Sequence, residues 1–240
     1  MNAPCRFFEA DRLDCRLVEH RWTLTEAQEQ AVADVWRERK SRTPSLYDGR
    51  ILLARRAEAL VDAPGRSTLE VEFFEASYAR YLAWRELGQP DWGVFNCFSM
   101  PALRSTDGAF LAGEMGRDHA HPGQIYFPCG TPDRGDVVGS RVDLTGCIIR
   151  ELAEETGIVV DERDFAPNWR VIFHKRQVAC VRVVNLPGEA QGQLDAALRH
   201  IRSQERPELA GMRIFRQRVE LADPRIAFST KAFLESVLVD

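Results

Sequence analysis

Glu151, Glu154 and Glu155 fall within one five-residue window. In a helix each residue advances about 100°, so these carboxylates share an arc of about 100°. Ile148, Ile149 and Leu152 take the adjacent arc and give the same helix a face to bury. At about 6 Å and an effective dielectric near 20, each like-charged pair repels by about 3 kcal/mol. A hard divalent cation prefers oxygen ligands and turns that repulsion into coordination. The bland alternative is a solvated face, where an i,i+4 like-charge pair costs only about 0.2–0.5 kcal/mol. Context favours the first reading. Arg150 lies one turn before Glu154 and can hold it by a charge-assisted hydrogen bond. Gly157 stands where a C′ glycine stops a helix, and apolar Ile158-Val159-Val160 follows at once.

The run Arg150-Glu151-Leu152-Ala153-Glu154-Glu155-Thr156-Gly157-Ile158 resembles the second half of the Nudix box. The first half of that box is Gly, five residues, then Glu. Gly130 to Asp136 has this spacing with Asp in place of Glu. Thirteen residues, 137 to 149, then separate Asp136 from Arg150, which is six more than the usual box. The spacing therefore predicts a six-residue insertion in the loop, around Val138-Gly139-Ser140-Arg141, with Asp143 or Thr145 capping the helix that follows.

The resemblance implies an α/β fold, an α/β/α sandwich around a mixed sheet, over residues 91 to 240, with residues 1 to 88 as an N-terminal α/β extension. It also implies a Mg²⁺- or Mn²⁺-dependent pyrophosphohydrolase that cleaves the diphosphate of a nucleoside diphosphate linked to another group. Carried over, Glu154 and Glu155 are the principal metal ligands, Glu151 is a ligand or the base that activates water, and Arg150 orients a glutamate. The carbonyl of Cys129 or Gly130 is a further metal contact, and Asp136, one methylene short, replaces the loop glutamate. A late loop commonly adds an acidic ligand; Glu205 and Glu208, around Arg206-Pro207, are the candidates, although glutamates beside a helix end are usually just solvated. The chemistry is coherent. A bound metal lowers the pKa of water, a nearby carboxylate takes its proton, and the remainder is positioning and electrostatics.

Gly123-Gln-Ile-Tyr-Phe127-Pro-Cys-Gly130-Thr-Pro-Asp133 is also similar, apart from Cys129, to the end of a motif found in coenzyme A diphosphatases of this superfamily. The front of that motif asks for arginines where Glu114 and His119 stand, and Arg117 is the residue that could compensate. A third reading, from another class, is a nucleotide sensor or binding module of the same fold without turnover. Retention of Arg150, Glu151, Glu154 and Glu155 argues against it, and the altered loop argues for it.

Other signals fall short. His119 and His121 with Cys129 suggest zinc but lack a fourth ligand. Gly130 and Gly135 have P-loop spacing, but Asp136 stands where the lysine is needed. His174 and His200 are isolated and read as structural, and there is no Gly-x-Ser-x-Gly elbow. The chain has 240 residues, 45% of them apolar, and a net charge of −4, enough for a real core and unlike a nucleic-acid backbone tracker. Six scattered cysteines without a C-x-x-C pair, no apolar leader and no stretch fit to span a bilayer predict a cytoplasmic protein free of membrane and nucleic-acid partners. A homodimer is among the expectations, with residues 1 to 88 serving as lid, dimer contact or substrate clamp.

The elements that must hold these residues follow from periodicity. Residues 24 to 39 predict a helix behind Thr23-x-x-Glu26 or Thr25-x-x-Gln28. Strands are expected over 50–60 and 68–74 around a Pro64-Gly65 turn, then a helix over 78–87. The aromatics Phe73, Phe74, Tyr78, Tyr81 and Trp84 read as core rather than as a stacking platform for a base. Gly88 to Gly93 marks the boundary. Beyond it come paired strands 94–103 and 109–115, a short strand 124–127 and the glutamate helix. Strands near 169–175 and 178–184, a helix around 194–201, a strand at 212–216 and a last helix capped by Ser229 or Thr230 complete the chain.

Overall fold

Strict alternation in residues 96–104 builds the layers. Cys97 and Leu103 enter one core while Phe98, Met100 and Ala102 enter another, so this strand is buried on both faces. The computed structural model describes residues 5–63, 65–117 and 122–240. In chain order the elements begin with β1 (Arg6–Ala10), β2 (Arg12–Leu17), α1 (Glu26–Arg42), β3 (Arg50–Val61), β4 (Ser67–Ser77) and α2 (Tyr78–Glu86). Next are β5 (Asn96–Arg104), β6 (Phe110–Met115), β7 (Ile125–Tyr126), β8 (Val137–Val138), β9 (Arg141–Val142) and α3 (Leu144–Thr156). The chain closes with β10 (Phe165–His174), β11 (Gln177–Asn185), α4 (Ala190–Ser203), β12 (Leu209–Phe215) and α5 (Phe228–Val237).

Two mixed sheets result. The large one runs β1-β10-β11-β5-β6-β12, with β7 branching from β6, and its β5–β11 pair is parallel. The small one runs β3-β4-β2-β9-β8, with β2 and β4 parallel. Helices α3 and α4 share a core with the large sheet through Ile148, Leu152, Ala197 and Ile201. Phe233, Leu234 and Leu238 from the α5 end of the chain pack on the opposite face against Phe98, Met100 and Phe110. A mixed sheet covered on both faces is the α/β/α sandwich anticipated. The small sheet adds Leu52, Leu69, Val71 and Phe73 to the first core. A third cluster, around Trp22, Phe74 and Trp84, lies under α2.

Several local expectations are corrected. Helix α1 starts at Glu26 because Thr25, not Thr23, forms the capping box with Gln28. The last strand ends at Phe215, since the Arg216 amide turns away to the Glu220 carboxylate. Helix α5 begins at Phe228, with Ala227 as an N-cap that offers no side-chain bond; Ser229 and Thr230 are buried inside it, and Thr230 Oγ1 accepts from the Phe127 amide at 3.1 Å. The Pro64-Gly65 turn is described only at Gly65, with φ +97°, because Pro64 lies outside the described residues.

The N-terminal strands are new. Only Ala10 of β1 and Cys15 of β2 are buried, so neither strand has the apolar alternation that announces one. Their pairings matter. Strand β1 lines the outer edge of the large sheet against β10, and β2 joins β4 to β9. Both sheets thus draw strands from either side of residues 88–91. Among the described residues no helix is long and apolar enough to cross a membrane.

Candidate active site

Helix α3 carries the glutamates, and both of its ends are fixed. Asp143 Oδ1 accepts from the Thr145 and Gly146 amides at 3.1 and 2.9 Å, satisfying two otherwise orphaned donors. At the other end Gly157 takes φ +70° and its amide donates to the Ala153 carbonyl at 3.1 Å. His200 Nε2 and Gln204 Nε2 stand 3.1 and 2.6 Å from the Glu154 carbonyl, so α4 satisfies the last turn of α3. His200 is structural, as its isolation suggested.

The insertion is folded out of the way. Residues 137–142 form the β8–β9 hairpin, with Gly139 at φ +64° in its turn. The Asp143 amide donates to the Asp136 carbonyl at 2.8 Å and closes the base of the hairpin. Asp136 therefore abuts the helix start despite the longer loop. It is buried, accepts from the Asp133 amide at 3.0 Å, and receives the Arg150 guanidinium at 3.1 and 3.2 Å. The shorter side chain reaches the arginine all the same. Arg150 then spans three carboxylates, with Glu151 at 2.9 Å and Glu154 at 3.3 Å.

The three glutamates part company around the helix. Glu155 is only 4% exposed, Glu151 is largely enclosed, and the Glu154 side chain is 62% exposed. Glu155 Oε2 accepts from the Tyr126 hydroxyl at 3.3 Å, while its buried Oε1 has no hydrogen-bond partner. Burial, then Glu208, then Glu151 push the Glu155 carboxyl up to about 10. Glu151 is also raised, chiefly by burial and against the pull of Arg150. Both shifts have one origin: ionisation here strips a carboxylate of its water and sets it against neighbours of its own sign. A cation among these oxygens would remove that penalty.

Gly130 lies against this cluster. A Cβ on it would stand 2.4 Å from Glu151 Oε1, so only glycine lets the carboxylate approach the loop backbone so closely. The Leu52 amide donates to the Pro132 carbonyl at 2.7 Å and anchors this loop to the small sheet. Cys129, beside it, has its thiol raised by burial, then by Glu155 and Glu151, which rules against a thiolate nucleophile there.

Among the described residues no group of three or more His, Cys, Asp or Glu stands ready to hold a metal ion. In chemical type the cluster nevertheless fits a hard cation: an unpartnered buried carboxylate oxygen, with Glu151 and Glu208 close enough to raise its pKa. Of the residues singled out in the sequence, Arg150, Glu151, Glu155 and Asp136 are brought together, and Gly130 touches them. Glu154 turns outward on Arg150. Glu208 acts on Glu155 and Glu151, whereas Glu205 is exposed. Arg117 is exposed on the turn after β6, next to Gly116, whose amide donates to the Glu208 carbonyl at 2.8 Å. Glu114 pairs with Arg225 at 3.2 Å. His119 and His121, which with Cys129 fell short of a zinc site in the sequence, lie outside the described residues.

Tyr126 is the site residue that pattern alone does not pick out; its position one before Phe127-Pro128 was the available signal. Its hydroxyl is on Glu155, and its ring lines an adjoining cavity of about 260 Å³.

No family model matches this chain, and no curated protein matches it either. Among solved structures it is similar to a MutT protein from Methanosarcina mazei Go1, with 14% identity, a TM-score of 0.39, and coverage of 59% of this chain and 91% of that one. It is also similar to the Nudix hydrolase RenU from M. Smegmatis, at 10% identity and a TM-score of 0.37, over 59% of this chain and 81% of that one.

Proposed function

We propose that this protein is a Nudix-type hydrolase that uses Mg²⁺ or Mn²⁺ to cleave the diphosphate of a nucleoside diphosphate linked to another group. One observation carries the reading. Glu155 is buried with an unpartnered oxygen, beside Glu151 and within electrostatic reach of Glu208, on a helix with the Arg-Glu-x-x-Glu-Glu-x-Gly pattern. Glu155 and Glu208 would hold the cation, Glu154 would join them by leaving Arg150, and Glu151 stands beside them to take a proton. The bound ion would supply charge neutralisation and an acidified water. Arg150 holds Glu151 and Asp136 in place, and Tyr126 fixes the Glu155 carboxyl by its hydrogen bond. Glu151, largely enclosed and held by Arg150 at 2.9 Å, is the residue we assign as general base.

Cleavage of CoA is the narrower variant. It rests on the segment from Gly123 to Asp133, and the Glu114–Arg225 pair leaves that position acidic where the CoA motif is basic. A cytoplasmic setting is part of the same reading.

The test is a panel of ADP-ribose, CoA, NADH, diadenosine polyphosphates and UDP-sugars with Mg²⁺, run on the native chain and on Glu155→Gln. At least one substrate should turn over, and the variant should lose about a hundredfold or more of kcat while melting at or above the native Tm. Substrates that bind without any phosphorus–oxygen bond breaking would leave a nucleotide-binding module instead. An active Glu155→Gln would remove Glu155 from the site.

A further inference from the structure

The cavity beside Tyr126 is not used by the chemistry above. It holds about 260 Å³ and is walled by Tyr81 and Arg85 from α2, Asn96 from β5, Gln124, Gln177 and Phe228. Gly130 and Tyr126 line it too, so it shares a wall with the carboxylate cluster.

Asn96 is the informative group. It is 6% exposed, its Nδ2 donates to the Tyr81 hydroxyl at 3.1 Å, and its Oδ1 is enclosed with no partner. A buried acceptor left unmet costs about 1–3 kcal/mol, so an N–H donor is the natural complement. The Tyr81 oxygen meets three groups: Asn96 Nδ2, Thr131 Oγ1 at 3.4 Å and Arg85 Nη1 at 3.4 Å. With its lone pairs engaged, the phenol has its own proton to give. The wall thus presents one acceptor and one donor side by side. Small-molecule pockets run from about 300 to 1,000 Å³, so a cavity at the lower limit takes one ring system rather than a whole dinucleotide.

We propose that this cavity seats the nucleobase of the substrate, with Asn96 Oδ1 accepting an N–H of the base and the Tyr81 hydroxyl donating to its neighbouring ring nitrogen or carbonyl. An adjacent donor and acceptor is what the Watson–Crick edge of a base offers. The inference rests on the hydrolase reading for the position of the diphosphate. It also gives residues 1 to 88 a role, because Tyr81 comes from that part of the chain and is a specificity residue for a site whose carboxylates lie beyond residue 150.

Calorimetric titration of the full chain in EDTA tests it without turnover, using AMP, GMP, CMP and UMP against ribose 5-phosphate and phosphopantetheine. At least one base-bearing monophosphate should bind about tenfold or more tighter than ribose 5-phosphate. Tyr81→Phe, which keeps the ring, and Asn96→Leu should each erase about that factor while leaving ribose 5-phosphate binding unchanged. Should Asn96→Leu fail to fold, Tyr81→Phe decides alone. Equal affinity with and without a base, preference for phosphopantetheine, or an unaffected Tyr81→Phe would each overturn the assignment. Base-selective binding by a chain that hydrolyses nothing would sink the hydrolase reading and leave this one; turnover without base selectivity would do the reverse.

Discussion

Glu155 shows what one side chain can reveal about an occupant. Its carboxyl rises from an ordinary 4.5 to about 10 on folding, with burial as the main cause. Between those values the folded chain binds more protons than the unfolded one, so ν_U − ν_N is negative and stability falls as pH rises through the window. The stabilising state is the protonated one, complete at low pH and lost towards the upper value. Metal-free protein should therefore melt at progressively lower temperature from pH 5 to pH 9, with a slope of at most about 1.4 kcal/mol per pH unit from this group. Glu155→Gln should flatten that slope. Mg²⁺ binding should release protons and tighten as pH rises, because the ion and the proton compete for the same oxygens. Thermal melts across pH in EDTA, with and without the substitution, read this directly; a native Tm indifferent to pH would remove the proton from Glu155.

At the scale of the element, α3 depends on its stop. Gly157 combines φ +70° with a tight approach, since a Cβ would sit 2.6 Å from His200 Cγ. Gly157→Ala should cost about 1–3 kcal/mol in denaturant unfolding and loosen the α3–α4 contact that holds Glu154 and Glu155 in register. A loss below about 0.5 kcal/mol would mean that the turn relaxes freely. This stop, the Asp143 cap and the placement of the insertion were legible in the sequence because each is local: a glycine after the last turn, an Asx before the first, a motif whose halves are spaced too widely. Long-range pairing was not legible. Strands β1 and β2 each bury a single residue, so their alternation is too weak to declare them. Likewise the outward turn of Glu154 and the inward turn of Glu208 depend on Arg150, Tyr126 and the β6–β12 pairing, none of which spacing along the chain encodes. Tyr81 read correctly as buried, yet its hydroxyl has work at the cavity that burial alone does not disclose.

Over the whole molecule the sheets tie the two ends of the chain together. Strand β1 pairs five residues with β10 and covers an edge of the large sheet. Removing residues 1 to 11 would bare the β10 edge, with its row of unpaired backbone groups. The truncated chain should self-associate at concentrations where the full chain does not, as light scattering would show; a truncated chain with unchanged scattering and Tm would make β1 dispensable. The β8–β9 hairpin has a comparable reach. Its Arg141 pairs with Arg16 of β2, and the Leu17 amide donates to the Ser140 carbonyl at 2.9 Å. The added residues between Asp136 and α3 and the early strand β2 are thus counterparts, each giving the other its backbone partners. Kindred proteins should gain or lose the two segments as a pair, because a hairpin without β2 would dangle, and a β2 without the hairpin would have a bare flank.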